Sequence, residues 1–149
     1  MGYATAFSLI IDNFYRQSKL DEKMLEKEVQ IQKIQESNLG DETKAIVINA
    51  LKDQYDSYYK EVTKEDVLDV LLDIEYFVYG DPFEGEYIKW ENHKNDMKTV
   101  SKKFKDVLFI LSGEGEEAGD LWKEYYMNGK VQVAEAKIEF DSFDPSKLQ

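Results

Sequence analysis

The chain has 149 residues, 31 acidic against 19 basic side chains, a formal net charge of −12, 42% hydrophobic and 13% aromatic content, and no cysteine. That length supports one domain with a sizeable core, and the apolar and aromatic content excludes wholesale disorder. The missing cysteines exclude a disulfide framework and thiolate chemistry, which suits a reducing cytoplasm, and the charge opposes phosphate backbones and anionic membranes.

The opening MGYATAFSLIIDNF lacks a basic region and is broken by Asp12 and Asn13, so it does not read as a signal peptide. Ala6 stands where a myristoylation signal wants Ser or Thr. No apolar stretch approaches the ~20 residues a bilayer span requires.

Residues 3–12 alternate, with Phe7, Leu9 and Ile11 facing one way and Ala6, Ser8 and Ile10 the other, which predicts a strand. Residues 19–37 carry Leu20, Met24, Leu25, Ile31 and Ile34 at helical spacing among many charges, the pattern of a largely solvated helix. Asn38-Leu39-Gly40 reads as its stop, with Gly40 suited to a left-handed end and Asp41 to capping a second helix over 42–61. That helix carries Val47, Leu51, Tyr55, Tyr58 or Tyr59, and Val62, and the tyrosines read as half-buried packing. The pair forms a helical hairpin.

Thr63 to Asp66 resembles a capping box with Asp in place of Glu or Gln. The apolar run VLDVLLDIEYFVYG that follows predicts a helix, although Tyr76 to Tyr79 suit a strand equally well. Gly80-Asp81-Pro82 breaks it. EYIKW at 86–90 predicts a short strand, with Tyr87 facing away from Ile88 and Trp90. A helix through Lys105 follows, with Asn92 as its cap and Met97, Val100 and Phe104 as its buried stripe.

VLFILS at 107–112 predicts a central strand covered on both faces. Residues 121–127 form the next strand, placing Trp122 and Tyr126 on one face with Glu124 between them. Asn128-Gly129 signals a type I′ hairpin. The return strand, 130–140, switches phase after Val133, which predicts a β-bulge near 133–134. The order predicts an α+β fold in a single domain, 1–149: an antiparallel sheet with helices packed on one face. Its C-terminal half, 86–141, is strand–helix–strand–hairpin and ferredoxin-like, and residues 19–79 form a helical elaboration.

The loop SGEGEEAGD is the most unusual segment. Its charge opposes phosphate, and it has neither a Walker lysine nor dinucleotide spacing. Glu114, Glu116, Glu117 and Asp120 supply oxygens suited to Ca²⁺ or Mg²⁺, but the spacing is not that of an EF-hand. An exposed glycine-rich loop is a poor place to raise a carboxyl pKa for acid–base catalysis. A dense carboxylate cluster can instead pair with Arg or Lys of a partner, and Trp122 and Tyr126 beside it are residue types that anchor interfaces. Trp90 and Tyr125 are further aromatic candidates, with core as the plainer reading of Trp122. His93, the single histidine, reads as a helix-start residue with ordinary hydrogen bonds. Nucleic-acid mimicry by Asp21, Glu22, Glu26 and Glu28 is interrupted by Lys19, Lys23, Lys27 and Lys33, a pattern of solvated ion pairs.

From Trp90 onward the chain carries a run of distinctive strings: the Asp96–Phe104 helix DMKTVSKKF, VLFILSGEGEE, GDLW and NGKVQ. Over roughly 86–148 the chain resembles small proteins of phages and prophages. The resemblance implies a bacterial or infected-cell cytoplasm and an accessory protein that meets host machinery. It assigns no reaction and no catalytic residue.

The sequence therefore leads to a non-enzymatic, acidic protein-interaction module. It would modulate or inhibit a host defence protein with a basic surface, through Glu114, Glu116, Glu117, Asp120, Trp122 and Tyr126. It calls for no cofactor, no direct nucleic-acid contact and no membrane. The alternative is a divalent-metal-binding protein or metal-dependent enzyme built on loop 113–120.

Overall fold

Apolar periods of two and of about three and a half sort the chain into alternating strands and helices. The computed structural model describes residues 4–74, 80–117 and 119–149. In chain order the elements are β1 (Thr5–Asp12), α1 (Phe14–Ser18), α2 (Leu20–Gln35), α3 (Asp41–Tyr59), α4 (Lys64–Leu72), β2 (Tyr87–Ile88), α5 (His93–Lys103), β3 (Leu108–Glu114), β4 (Leu121–Met127) and β5 (Lys130–Glu135). The strands form one antiparallel sheet in the order β2-β1-β3-β4-β5. The protein is α+β, as expected. β2, α5 and β3 form a crossover whose two strands flank β1, and β3, β4 and β5 follow as consecutive hairpins.

The alternation in β1 and β3 decides which face is covered. Phe7, Leu9, Phe109 and Leu111 point to one side and are buried against Val67, Val70 and Leu71 of α4 and Met97 and Val100 of α5. The opposite face of β1 and β3 carries Ala6, Ser8, Leu108, Ile110 and Ser112, all partly exposed, and Ile10 is 53% exposed. β3 is thus central in the sheet but fully buried on one face only. Its continuous apolar run made it look covered on both.

Several element ends differ from expectation for local reasons. Gly40 does not end α2 in the left-handed region; its φ is −65°, and it precedes α3, whose first residue is Asp41. The carbonyls at the end of α2 are satisfied otherwise, Ile34 by the Ser37 hydroxyl at 2.6 Å and Gln35 by Lys44 Nζ at 2.8 Å. The capping box is present, with Asp66 N–H donating to Thr63 and Thr63 N–H donating to Asp66. Asn92 sits at the cap position of α5 without capping it, because its side-chain oxygen accepts from the Asn95 amide at 2.9 Å while its own amide donates to Asp96 at 3.4 Å. No bulge interrupts β5. Its pairing with β4 is continuous from Lys130 to Glu135, straight through the phase switch at 133–134, and the strand ends at Glu135, short of the expected 140. The expected strand-or-helix ambiguity at 76–79 lies outside the described residues.

The helical hairpin is solvated, as its charge pattern predicted: α2 buries no residue and α3 buries Tyr55. A polar joint fixes it to the sheet. Asp106, at φ 62°, accepts from the Tyr58 hydroxyl at 2.8 Å and from the Asn128 amide at 3.1 Å, and its own N–H donates to Asn128 at 2.8 Å. Asn128 and Gly129 have φ of 53° and 80°, as the expected type I′ turn requires. Gly129 N–H donates to the buried Ser101 hydroxyl at 2.9 Å, so the turn is tied to α5.

Burial works to raise the Asp106 carboxyl, but bonds from Asn128 and Tyr58 together with Lys19 hold it below the ordinary aspartate range. A depressed folded pKa stabilises the fold above the unfolded value, and that contribution disappears as pH falls through the folded one. Asp106→Asn is therefore expected to flatten the loss of stability below about pH 4, the region where a free aspartate titrates. Urea unfolding of both forms across that range measures it, and identical pH slopes would contradict the assignment.

Candidate functional site

The β3–β4 connection and the start of α5 meet at one end of the sheet. β3 leaves the sheet at Glu114, and the chain turns back through three backbone bonds: Gly115 N–H to Asp120 at 2.8 Å, Asp120 N–H to Glu117 at 3.2 Å, and Leu121 N–H to Gly119 at 2.9 Å. Gly119 takes φ of 83°, which glycine allows without strain. Glu114, Glu116 and Glu117 are exposed on this bend, and Asp120 is half-buried.

Below the bend, four rings assemble. The Trp122 indole lies across Gly113, where any Cβ would overlap it. It stacks on His93 with centroids 5.2 Å apart and planes at 21°, and it meets Phe7 edge-on at 5.8 Å. Phe7 in turn packs against Trp90 at 5.3 Å. Strand alternation then puts Glu124 beneath Trp122, only 2% exposed.

Such a carboxylate needs donors, and the structure provides them. His93 Nε2 lies 2.9 Å from Glu124 Oε1, the Tyr126 hydroxyl donates to the same oxygen at 2.8 Å, and Lys94 Nζ is 3.6 Å from Oε2. His93 Nδ1 faces the Trp90 carbonyl at 3.1 Å. Both ring nitrogens of His93 thus face an oxygen, one a backbone carbonyl and the other the buried carboxylate. Burial and the bond to Glu124 push the Tyr126 phenol far above its ordinary pKa, so it stays a donor. Asp96, also buried, accepts from Trp90 Nε1 at 2.7 Å.

A cleft of about 560 Å³ opens between these groups and the bend, lined among others by His93, Lys94, Asp120, Trp122, Glu124 and Glu135. The bend and the aromatic cluster are thus one continuous surface. The structure brings together Asp120 and Trp122, and keeps Glu114, Glu116 and Glu117 on the solvent side. Tyr126 does not belong with them. It is wholly buried and spends its hydroxyl on Glu124, so it faces no partner; its in-phase placement with Trp122 on β4 points it into the core. Among the described residues no group of three or more His, Asp or Glu is placed to hold a metal ion, and the metal-site reading of loop 113–120 finds no donor set.

Sequence reasoning missed Glu124 and underrated His93. The available signal was a carboxylate in phase with Trp122 and Tyr126 on a strand, which requires a buried cationic or donor partner. Among the described residues no helix is long and apolar enough to cross a membrane. No protein-family model, no curated protein and no solved structure matches the chain.

His93→Ala is expected to destabilise the fold by about 2 kcal/mol, because it strips a buried carboxylate of one of its donors. Chemical denaturation measures this, and a cost near zero would mean that Glu124 is satisfied without His93. Gly113→Ala is expected to cost about 1–3 kcal/mol through overlap with the indole. Adding Trp122→Ala should remove that overlap, so the double variant must be more stable than the summed single effects predict. Strict additivity would show that Gly113 does not seat Trp122.

Proposed function

We propose that this protein is an interaction module that offers the acidic bend and the adjoining Trp122 cleft to a basic surface of a partner protein. The observation that carries the reading is the position of the carboxylates: Glu114, Glu116 and Glu117 are exposed on a bend at one sheet end, and Asp120 of the same bend lines a cleft with the half-buried Trp122. Glu114 and Glu116 have no ion pair among the described residues. Charges left in water near an aromatic anchor attract a cationic surface at long range and discriminate among partners. With it we propose a bacterial cytoplasmic setting and a partner in the host cell, a defence protein among the candidates.

The test is capture from bacterial lysate at low and high salt, with wild type and a Glu114→Gln/Glu116→Gln/Glu117→Gln variant, the captured proteins being identified by mass spectrometry. A specific basic partner should be retained by wild type, released by salt, and lost with the variant. Retention indifferent to the three substitutions, or no retained partner, overturns the reading.

A further inference from the structure

The cations of this acidic chain are gathered unevenly. Arg16, Lys23, Lys103 and Lys105 line a cleft of about 290 Å³ together with Tyr55 and Tyr58. That volume is at the lower end of those that accept small molecules, about 300–1,000 Å³. Arg16 is the built part of the site. It is only 6% exposed, and its guanidinium carbon stands 4.7 Å from the centre of the Tyr58 ring. Nε donates to the Lys105 carbonyl at 2.8 Å and Nη1 to the Lys60 carbonyl at 3.1 Å. Nη2 makes no hydrogen bond among the described residues.

The charge of the cleft is only partly compensated: four cations line it against the single carboxylate of Glu26. Acidic residues outnumber basic ones across the chain, yet among the described residues no carboxylate pairs with Arg16, Lys103 or Lys105. The carboxylate that lines the cleft, Glu26, is already held by the Tyr55 hydroxyl at 2.9 Å and by Lys23 at 3.4 Å. Burial lowers the Arg16 pKa, the sign of a desolvated charge, while guanidinium still remains cationic in water-compatible conditions. A fixed fork with a spare donor, flanked by two unpaired ammonium groups, is matched by a multiply charged oxyanion.

We propose that this cleft binds the phosphate group of a small anionic molecule, with Arg16 as the fixed donor and Lys103 and Lys105 as flanking charges. The site stands apart from the acidic bend and does not rest on that bend's function.

The full chain is titrated with sodium phosphate while sodium chloride keeps the ionic strength constant, and the Arg16 Nε–H signal and backbone amides are followed by NMR. The expected result is a saturable shift centred on Arg16, Tyr58 and Lys103. Lys103→Gln/Lys105→Gln, both exposed positions, should weaken binding about fivefold with an otherwise unchanged spectrum. Lys147→Gln should leave it unchanged. A shift that never saturates, one centred on other lysines, or an affinity unaltered by the double variant overturns the proposal.

Discussion

Burying Glu124 constrains much of this molecule. A strand that points a carboxylate into its own core has to receive donors there, because an unpaired buried charge would cost several kcal/mol. Tyr126 comes from the same strand, two residues on. His93 comes from the first turn of α5, which fixes where that helix begins and how it lies against β4. With His93 held on both ring nitrogens, its face is set for Trp122, and Gly113 leaves the space into which the indole settles. The wall of the cleft is thus a by-product of satisfying one carboxylate.

The same logic separates the charges by place. Carboxylates that the fold uses are enclosed with donors: Glu124, Asp96 and Asp106 are all buried and all bonded. Glu114 and Glu116 on the β3–β4 bend are exposed and outside any ion pair among the described residues. Arg16, Lys103 and Lys105, none of them in an ion pair among the described residues, line the other functional candidate, where α1, α2, α3 and the exit of α5 meet. A net charge of −12 is therefore an average over an acidic end and a local basic cleft. The average alone argued against any anion site.

Most of the architecture was legible because periodicity reports burial directly. β1, the solvated hairpin, the capping box at Thr63 and the Asn128-Gly129 turn all follow from residue type and spacing. What spacing could not supply was the partner of each polar group. Gly40 looked like a helix end because glycine permits one, whereas Ser37 and Lys44 took over that role from neighbouring positions. The phase switch after Val133 looked like a bulge because a sequence shows which positions are apolar without showing that the ladder runs on unbroken through Ala134 and Glu135. Tyr126 counted as an interface aromatic because residue type does not reveal a bonded hydroxyl. Arg16 gave no periodic signal at all. It sits in a helix of five residues, and its partners, Lys60 and Lys105, lie 44 and 89 positions away.

Those long separations also give the basic cleft its mechanical meaning. The hairpin α2–α3 buries little apolar area, so its attachment rests on the Asp106 joint, on Arg16 reaching two carbonyls and on the Asn13 side chain bonding both backbone groups of Val62. Segments held by few buried apolar contacts open more readily than the core. An anion seated between Arg16, Lys103 and Lys105 would lie against Tyr58 of α3, at the same seam that this joint closes. Anything that binds the closed arrangement more tightly than the opened one stabilises the closed one by mass action. Occupancy of the cleft and docking of the hairpin are then linked in both directions: an anion holds the hairpin against the sheet, and loosening the Asp106 joint weakens the hold on the anion.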